Sequence, residues 1–173
     1  MIKSQSFVTI LGQYEPIVKQ LLSLHADIPF TASEATSEFL TRQKLLIRKK
    51  RDDNTIDARA VLLLKDCKTL DINIRMAVLN GMSLRIFLIM AFQTITNVYI
   101  PPYIRSNSDF VIIANETSLA NQRKLYDDYA SMFETFDHFC EALNAITYNG
   151  NYMVLDNCAD SNKLMDQVFI LYQ

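Results

Sequence analysis

Residues 60–66 read AVLLLKD: five apolar residues stopping at a charged step, Lys65-Asp66. A buried strand with acid at its C-terminal tip is how nucleotide-hydrolysing α/β proteins hold a magnesium ion, because hard cations take oxygen ligands. That pattern wants two acids, or an acid where this chain has Lys65. An ammonium cannot ligate magnesium, and its charge competes with the ion. The step can be a working nucleotide site, a damaged one, or a strand with a polar end.

The glycines weigh against an intact site. There are three, Gly12, Gly81 and Gly150. A phosphate-cradling loop needs glycines at close spacing followed by Lys and Ser or Thr, so that successive N–H groups point at one anion. Neither GxxxxGK[ST] nor GxGxxG occurs. A second candidate is the run Arg48, Lys49, Lys50 and Arg51. Four cations can grip DNA phosphates by releasing counterions, or simply suit the negative end of a helix dipole. His25 and His138 are isolated, and His138 and Cys140, two apart on a helix, point to different faces. Cys67, Cys140 and Cys158 are widely spaced with no CxxC pair, so neither a disulfide framework nor a zinc site is indicated. A reducing compartment follows.

Composition bounds the partners. The chain has 173 residues, half of them hydrophobic, with a net charge of -2. That fits one globular domain, residues 1–173, and gives no global field calling for nucleic acid or an anionic membrane. The longest apolar stretch, residues 86–92, is too short to span a bilayer, and the N-terminus MIKSQSFVTILG lacks the marks of a signal peptide.

The elements that must position these residues follow from periodicity. Residues 6–11 read as a first strand closed by Gly12, and 14–24 as a short amphipathic helix. Thr31 and Glu34 offer a capping box for a long helix ending near Arg51. Residues 60–64 are a second strand, and Asp71 can cap a helix ended by Asn80-Gly81. Residues 85–92 are a third strand, apolar without alternation as when both sheet faces are covered. Pro101-Pro102 marks an extended turn, and 109–114 a fourth strand. Residues 118–132 and 135–146 are helices, and 152–155 a last short strand. Strands alternating with helices predict an α/β fold with a largely parallel sheet.

Several stretches carry a resemblance: FLTRQKLLIRKK (39–50), DARAVLLLKDC (57–67), NIRMAVLNG (73–81), IFLIMAFQ (86–93) and IPPYIRSNSDFVII (100–113). They continue with NQRKLYDDYASMFETFDHFCEAL (121–143), YMVLDN (152–157) and SNKLMDQVF (161–169). From about Glu38 onward, with a looser match over 6–38, the chain resembles the DNA-packaging ATPases of large DNA viruses (poxvirus and iridovirus types), within the FtsK/HerA superfamily. The resemblance implies a RecA-like, P-loop ATPase-type core, ATP and Mg2+ as the family's cofactors, and a ring working on duplex DNA.

It also implies departures. The family ends the second strand in one acid for magnesium and one to polarise the attacking water; Lys65 takes the first place and Asp66 keeps the second. Met82-Ser83 stands where the family carries Arg-His. Gln93 matches a polar residue near the γ-phosphate, and Arg105 also matches, as a candidate arginine finger. The family's first strand and P-loop are expected to precede residues 6–11, so the chain reads as N-terminally truncated.

The expectation is therefore a sheet of four or five strands flanked by helices and missing the P-loop strand, with strands 85–92 and 109–114 closing up to pair directly. The function implied is a truncated packaging-ATPase relative unable to hydrolyse ATP by itself and needing no cofactor of its own. The alternatives are a split-enzyme subunit completed by a P-loop-bearing chain, or a protein-interaction module. The partners implied are capsid or packaging proteins, an oligomer, and weak contact with double-stranded DNA. The place implied is the host cytoplasm, a virus factory or the virion.

Overall fold

The computed structural model describes residues 5–27, 36–67, 70–93, 95 and 100–172. The elements run β1 (Phe7–Leu11), α1 (Glu15–Leu24), α2 (Thr36–Asp52), β2 (Ala60–Lys65), α3 (Ile72–Asn80) and β3 (Ile86–Phe92). They continue with α4 (Pro102–Arg105), β4 (Phe110–Ile113), α5 (Leu119–Tyr129), α6 (Phe136–Thr147), β5 (Tyr152–Asp156), α7 (Leu164–Gln167) and β6 (Val168–Leu171). The strands form one six-stranded sheet in the order β2-β3-β1-β4-β5-β6. The first four are parallel, and β5 and β6 add antiparallel.

The α/β, largely parallel reading holds; the strand count and the gap do not. Six strands are present rather than four or five, and β1 fills the slot expected to be empty. Val8 lies beside Ile89 of β3 on one side and Phe110 of β4 on the other. Strands β3 and β4 therefore do not pair directly, and no second chain is needed to complete the row. The physical reason is legible in FVTIL. All five residues are buried, and a strand apolar on both faces gains most between two neighbours and two covered faces. Its one polar side chain, Thr9, shares a 2.7 Å hydrogen bond with the Ser108 hydroxyl, so it is not left unpaired in the core.

The side-chain alternation of β3 divides the core. Ile86, Leu88, Met90 and Phe92 face a cluster that includes Phe39 and Leu40 of α2, Ile74 and Ala77 of α3, and Leu125 of α5. Phe87, Ile89 and Ala91 face Ile17, Val18 and Leu21 of α1. Among the described residues α1 is the helix that covers this second face. Between the layers, buried Gln43 of α2 donates to the carbonyls of Ala58 (2.5 Å) and Leu84 (2.7 Å), just ahead of β2 and β3. One amide thereby fixes the entries of both strands.

Caps follow the sequence in part. The Asp71 carboxylate accepts from the Ile74 N–H at 2.9 Å and starts α3, as expected. Thr135 caps α6 by accepting from the His138 N–H. The expected capping box at Thr31 and Glu34 lies outside the described residues. Gly81 ends α3 without a left-handed turn, at φ -52°. Pro101 is extended as expected, but Pro102 opens the helical turn α4. Proline suits that position, because the first N–H of a helix has no partner anyway.

Candidate functional site

In open α/β sheets, ligands bind at the carboxyl ends of the parallel strands. Here that edge gathers Gly12 after β1, Asp66 after β2, Gln93 after β3 and Ala114 after β4. Asp66 follows the outermost of these four strands and gathers the hydrogen bonds made there. Its N–H donates to Ala91 O at 2.8 Å. One carboxylate oxygen, Oδ1, accepts from the Gln93 N–H at 2.7 Å, and the other, Oδ2, accepts from the Tyr14 hydroxyl at 2.6 Å. These bonds hold Asp66 at φ +43°, a left-handed conformation that Asp tolerates better than most residues. The structure thus brings Asp66 and Gln93 together, Gln93 through its backbone. The side chain that completes the arrangement is Tyr14, at the start of the helix expected over residues 14–24.

Tyr14 arrives there because the β1–α1 connection is short. Only Gly12, Gln13 and Tyr14 separate Leu11 from Glu15. Gly12, at φ +98°, turns the chain and donates its N–H to Phe92 O at 2.9 Å. Ala114 N–H in turn donates to Leu11 O at 2.8 Å, so the ends of β3, β1 and β4 are tied side by side. Tyr14 is the N-cap residue of α1 and is buried. The Lys65 ammonium stands 5.8 Å from its ring centroid, within cation–π range. Cys67, half-buried just beyond, has its thiol pushed up by burial and then by the Asp66 and Asp71 charges, which leaves little thiolate.

The hydrogen bond to Asp66, then burial and the Asp66 charge, push the Tyr14 phenol up to about 12 from 10.0. A proton held more tightly in the folded state stabilises it below the unfolded pKa. This contribution is fully present below pH 10 and is lost as pH rises from about 10 to about 12. Tyr103, Tyr129 and Tyr152 are raised too, so the test is a difference. Tyr14→Phe is expected to unfold less steeply with pH across that window than the wild type. Parallel pH profiles of the two proteins in urea melts would contradict the assignment.

Arg105 is elsewhere. It closes α4, ahead of β4 at the opposite edge of the sheet, and pairs with Asp128 of α5. A polar cavity of about 440 Å3 opens beside it, lined by Arg105, Ser106, Asp127, Asp128, Tyr129 and Asn157 among others. Arg105 therefore does not join Asp66 and Gln93 within one chain. The basic run is also divided. Lys50 folds back to donate to Asn54 O (3.2 Å) and Ile56 O (2.7 Å), closing the loop after α2. Arg48, Lys49 and Arg51 are exposed. His25 lies against Phe87, with ring centroids 4.5 Å apart and the planes tilted by 58°. Among the described residues no group of three His, Cys, Asp or Glu side chains is placed to hold a metal ion, and no helix is long and apolar enough to cross a membrane.

No protein-family profile matches the chain. An uncharacterized protein of Acanthamoeba polyphaga mimivirus is 29% identical over 140 residues, spanning 75% of this chain and 49% of that protein. Uncharacterized protein 075L of Invertebrate iridescent virus 6 is 31% identical over 135 residues, spanning 75% and 50%. The chain thus spans about half the length of these relatives. Among solved structures, the genome packaging NTPase B204 of Sulfolobus turreted icosahedral virus 2 with AMP superposes at a TM-score of 0.62. That match is 11% identical and covers 99% of this chain and 98% of B204. The DNA-packaging ATPase B204 of Sulfolobus turreted icosahedral virus gives 0.57 at 13% identity, over 97% of each chain. The chain has relatives in large DNA viruses and folds as the viral genome-packaging NTPases do, on a P-loop ATPase scaffold.

Proposed function

We propose that this chain is a non-hydrolysing component of a viral DNA-packaging apparatus, a packaging-NTPase fold whose nucleotide site is closed by its own Tyr14. The observation that carries the reading is the 2.6 Å hydrogen bond from the Tyr14 hydroxyl to Asp66. It places a buried phenol on the one acid that survives at this step. The residues present do not fit a magnesium nucleotide. Three connecting residues with a single glycine cannot wrap a polyphosphate, and Lys65 puts a cation where the metal would need a carboxylate. Phosphoryl transfer rests almost wholly on positioned electrostatics, so these losses remove the catalytic power and not just the affinity.

What remains is a packaging scaffold. Its partners are then capsid or packaging proteins, with the exposed Arg48, Lys49 and Arg51 as its candidate contact with DNA phosphates. Phosphate release from purified protein with ATP and magnesium is expected at the buffer background, and Asp66→Ala is expected to leave it there. Addition of magnesium and ATP is expected to leave the melting temperature unmoved, since a ligand that does not bind the folded state cannot stabilise it. Magnesium-dependent turnover that disappears in Asp66→Ala would overturn the reading.

A further inference from the structure

The polar cavity beside Arg105 carries a charge imbalance. Its walls come from α4, the last turn of α5 and the chain just after β5. The carbonyls of a last helical turn favour cations. The last turn of α5 holds no basic residue and instead carries Asp127 and Asp128. Arg105 answers Asp128, in a pair whose side chains are 27% and 20% exposed. Asp127 meets Arg123, but there the side chains are 58% and 55% exposed, and solvent screens most of the attraction. The cavity wall thus sets two carboxylates and a helix C-terminus against one guanidinium. A second observation concerns Tyr129, in the same wall. It is 9% exposed, and its hydroxyl has no hydrogen-bond partner. Among the described residues one other buried side-chain atom, Gln43 Oε1, is left in that state. A buried hydroxyl without a partner is costly and calls for an explanation. Burial keeps this phenol protonated, although the nearby Arg105 charge pulls the other way, and its oxygen is free to accept.

We propose that this cavity binds an alkylammonium group, which donates its N–H bonds to the Asp127 and Asp128 carboxylates and to the Tyr129 hydroxyl. The volume, about 440 Å3, admits such a group with its alkyl chain. An ammonium has three donors and no acceptor, which matches a wall of acceptors. A metal ion does not fit, because among the described residues no three His, Cys, Asp or Glu side chains converge. An anion fits worse still. It would face both carboxylates and the carbonyl end of α5, while Arg105 is already engaged by Asp128. The same chemistry has two sources, a free small amine and the lysine side chain of a protein.

Calorimetric titration of the purified chain at constant ionic strength tests this, with n-butylammonium and Nα-acetyl-lysinamide as the two probes. The expected result is saturable one-to-one binding of at least one of them, and none of butanol, which has the chain without the charge. The tighter probe assigns the source. Tyr129→Phe is expected to weaken binding about tenfold or more, because a hydrogen bond to a charged group is lost. Its melting temperature should hold or rise, since the variant removes a hydroxyl that has no partner in the folded chain. A phenol with a purely structural role would not separate the two readouts in this way. Asp127→Asn, at an exposed position, should fold normally and weaken binding by roughly threefold. No saturable binding of either amine, equal binding of butanol, or an unchanged affinity in Tyr129→Phe would each overturn the proposal. Sulfate bound in the amine's place, and lost in Tyr129→Phe, would make this an anion site and overturn it as well.

Discussion

Phe87→Ala is expected to lower the unfolding free energy by about 3–5 kcal/mol, the range for emptying a buried phenylalanine site. Phe87 is fully buried near the start of β3, opposite Val61 of β2. Its ring meets His25 after α1 and shares its cluster with Ile17 and Leu21. Among the described residues α1 is the helix over this face, so α1 is the helix that would have to move to close the space left by the ring. A domain of this size carries about 5–15 kcal/mol in total, so the variant should be close to unfolding at 37 °C. Phe169→Ala is the internal control. It removes the same atoms from a half-exposed edge and should cost under about 1 kcal/mol in dilute protein. The chain has no tryptophan, so urea unfolding is best followed by far-ultraviolet circular dichroism. Equal losses for the two variants would mean that the second face is not packed as described.

The second large effect is expected at Gly12. Its φ of +98° lies where L-residues are strained by about 1–2 kcal/mol. An added Cβ would also stand 2.8 Å from the Ala114 Cβ, closer than two carbons can sit. Overpacking of this kind costs about 1–3 kcal/mol, so Gly12→Ala should destabilise by roughly 2–5 kcal/mol in all. The two parts can be separated. Adding Ala114→Gly relieves the contact but not the backbone strain, so the double variant should recover part of the loss and show a coupling energy. A Gly12→Ala protein within about 0.5 kcal/mol of the wild type would mean that the chain turns differently after β1. Tyr14 would then have no reason to meet Asp66.

The elements were legible wherever an apolar run met a clear stop. Strand β1 ends at Gly12, β3 before Gln93, and α3 starts at the Asp71 cap, each within a residue of the sequence reading. The order of the strands was not legible. Residues 6–11 carried the signal of a central strand, five buried positions without alternation, but an apolar run does not name its neighbours. The resemblance placed this segment after the central strand, and the structure makes it the central strand. The two-step segment α7–β6 was missed because LMDQ and VFIL are each four residues long, too short to show a period. At the site, Asp66 was legible because it ends an apolar run, whereas Gln93 was named only through the family resemblance. Tyr14 was not legible, because its partner is 52 residues away and no local spacing rule joins them. The signal it did leave is a tyrosine two residues after a strand-ending glycine, where a phosphate loop would need small residues. Lys50 shows the same limit at shorter range: RKKR reads as four equal cations until one of them is seen closing a loop.

The central place of β1 also sets when the chain can fold during its own synthesis. The partners of Val8, Ile89 and Phe110, are translated roughly eighty and a hundred residues after it. At about 5–20 residues per second, that is a wait of about 4–20 s. Throughout it, FVTIL stands outside the ribosome with no strand on either side. Strands β2 and β3 can meet first, but they offer an edge to β1 only once residue 92 has emerged. Of the six strands, the earliest in the sequence is thus among the last to be enclosed, although the finished sheet buries all five of its residues.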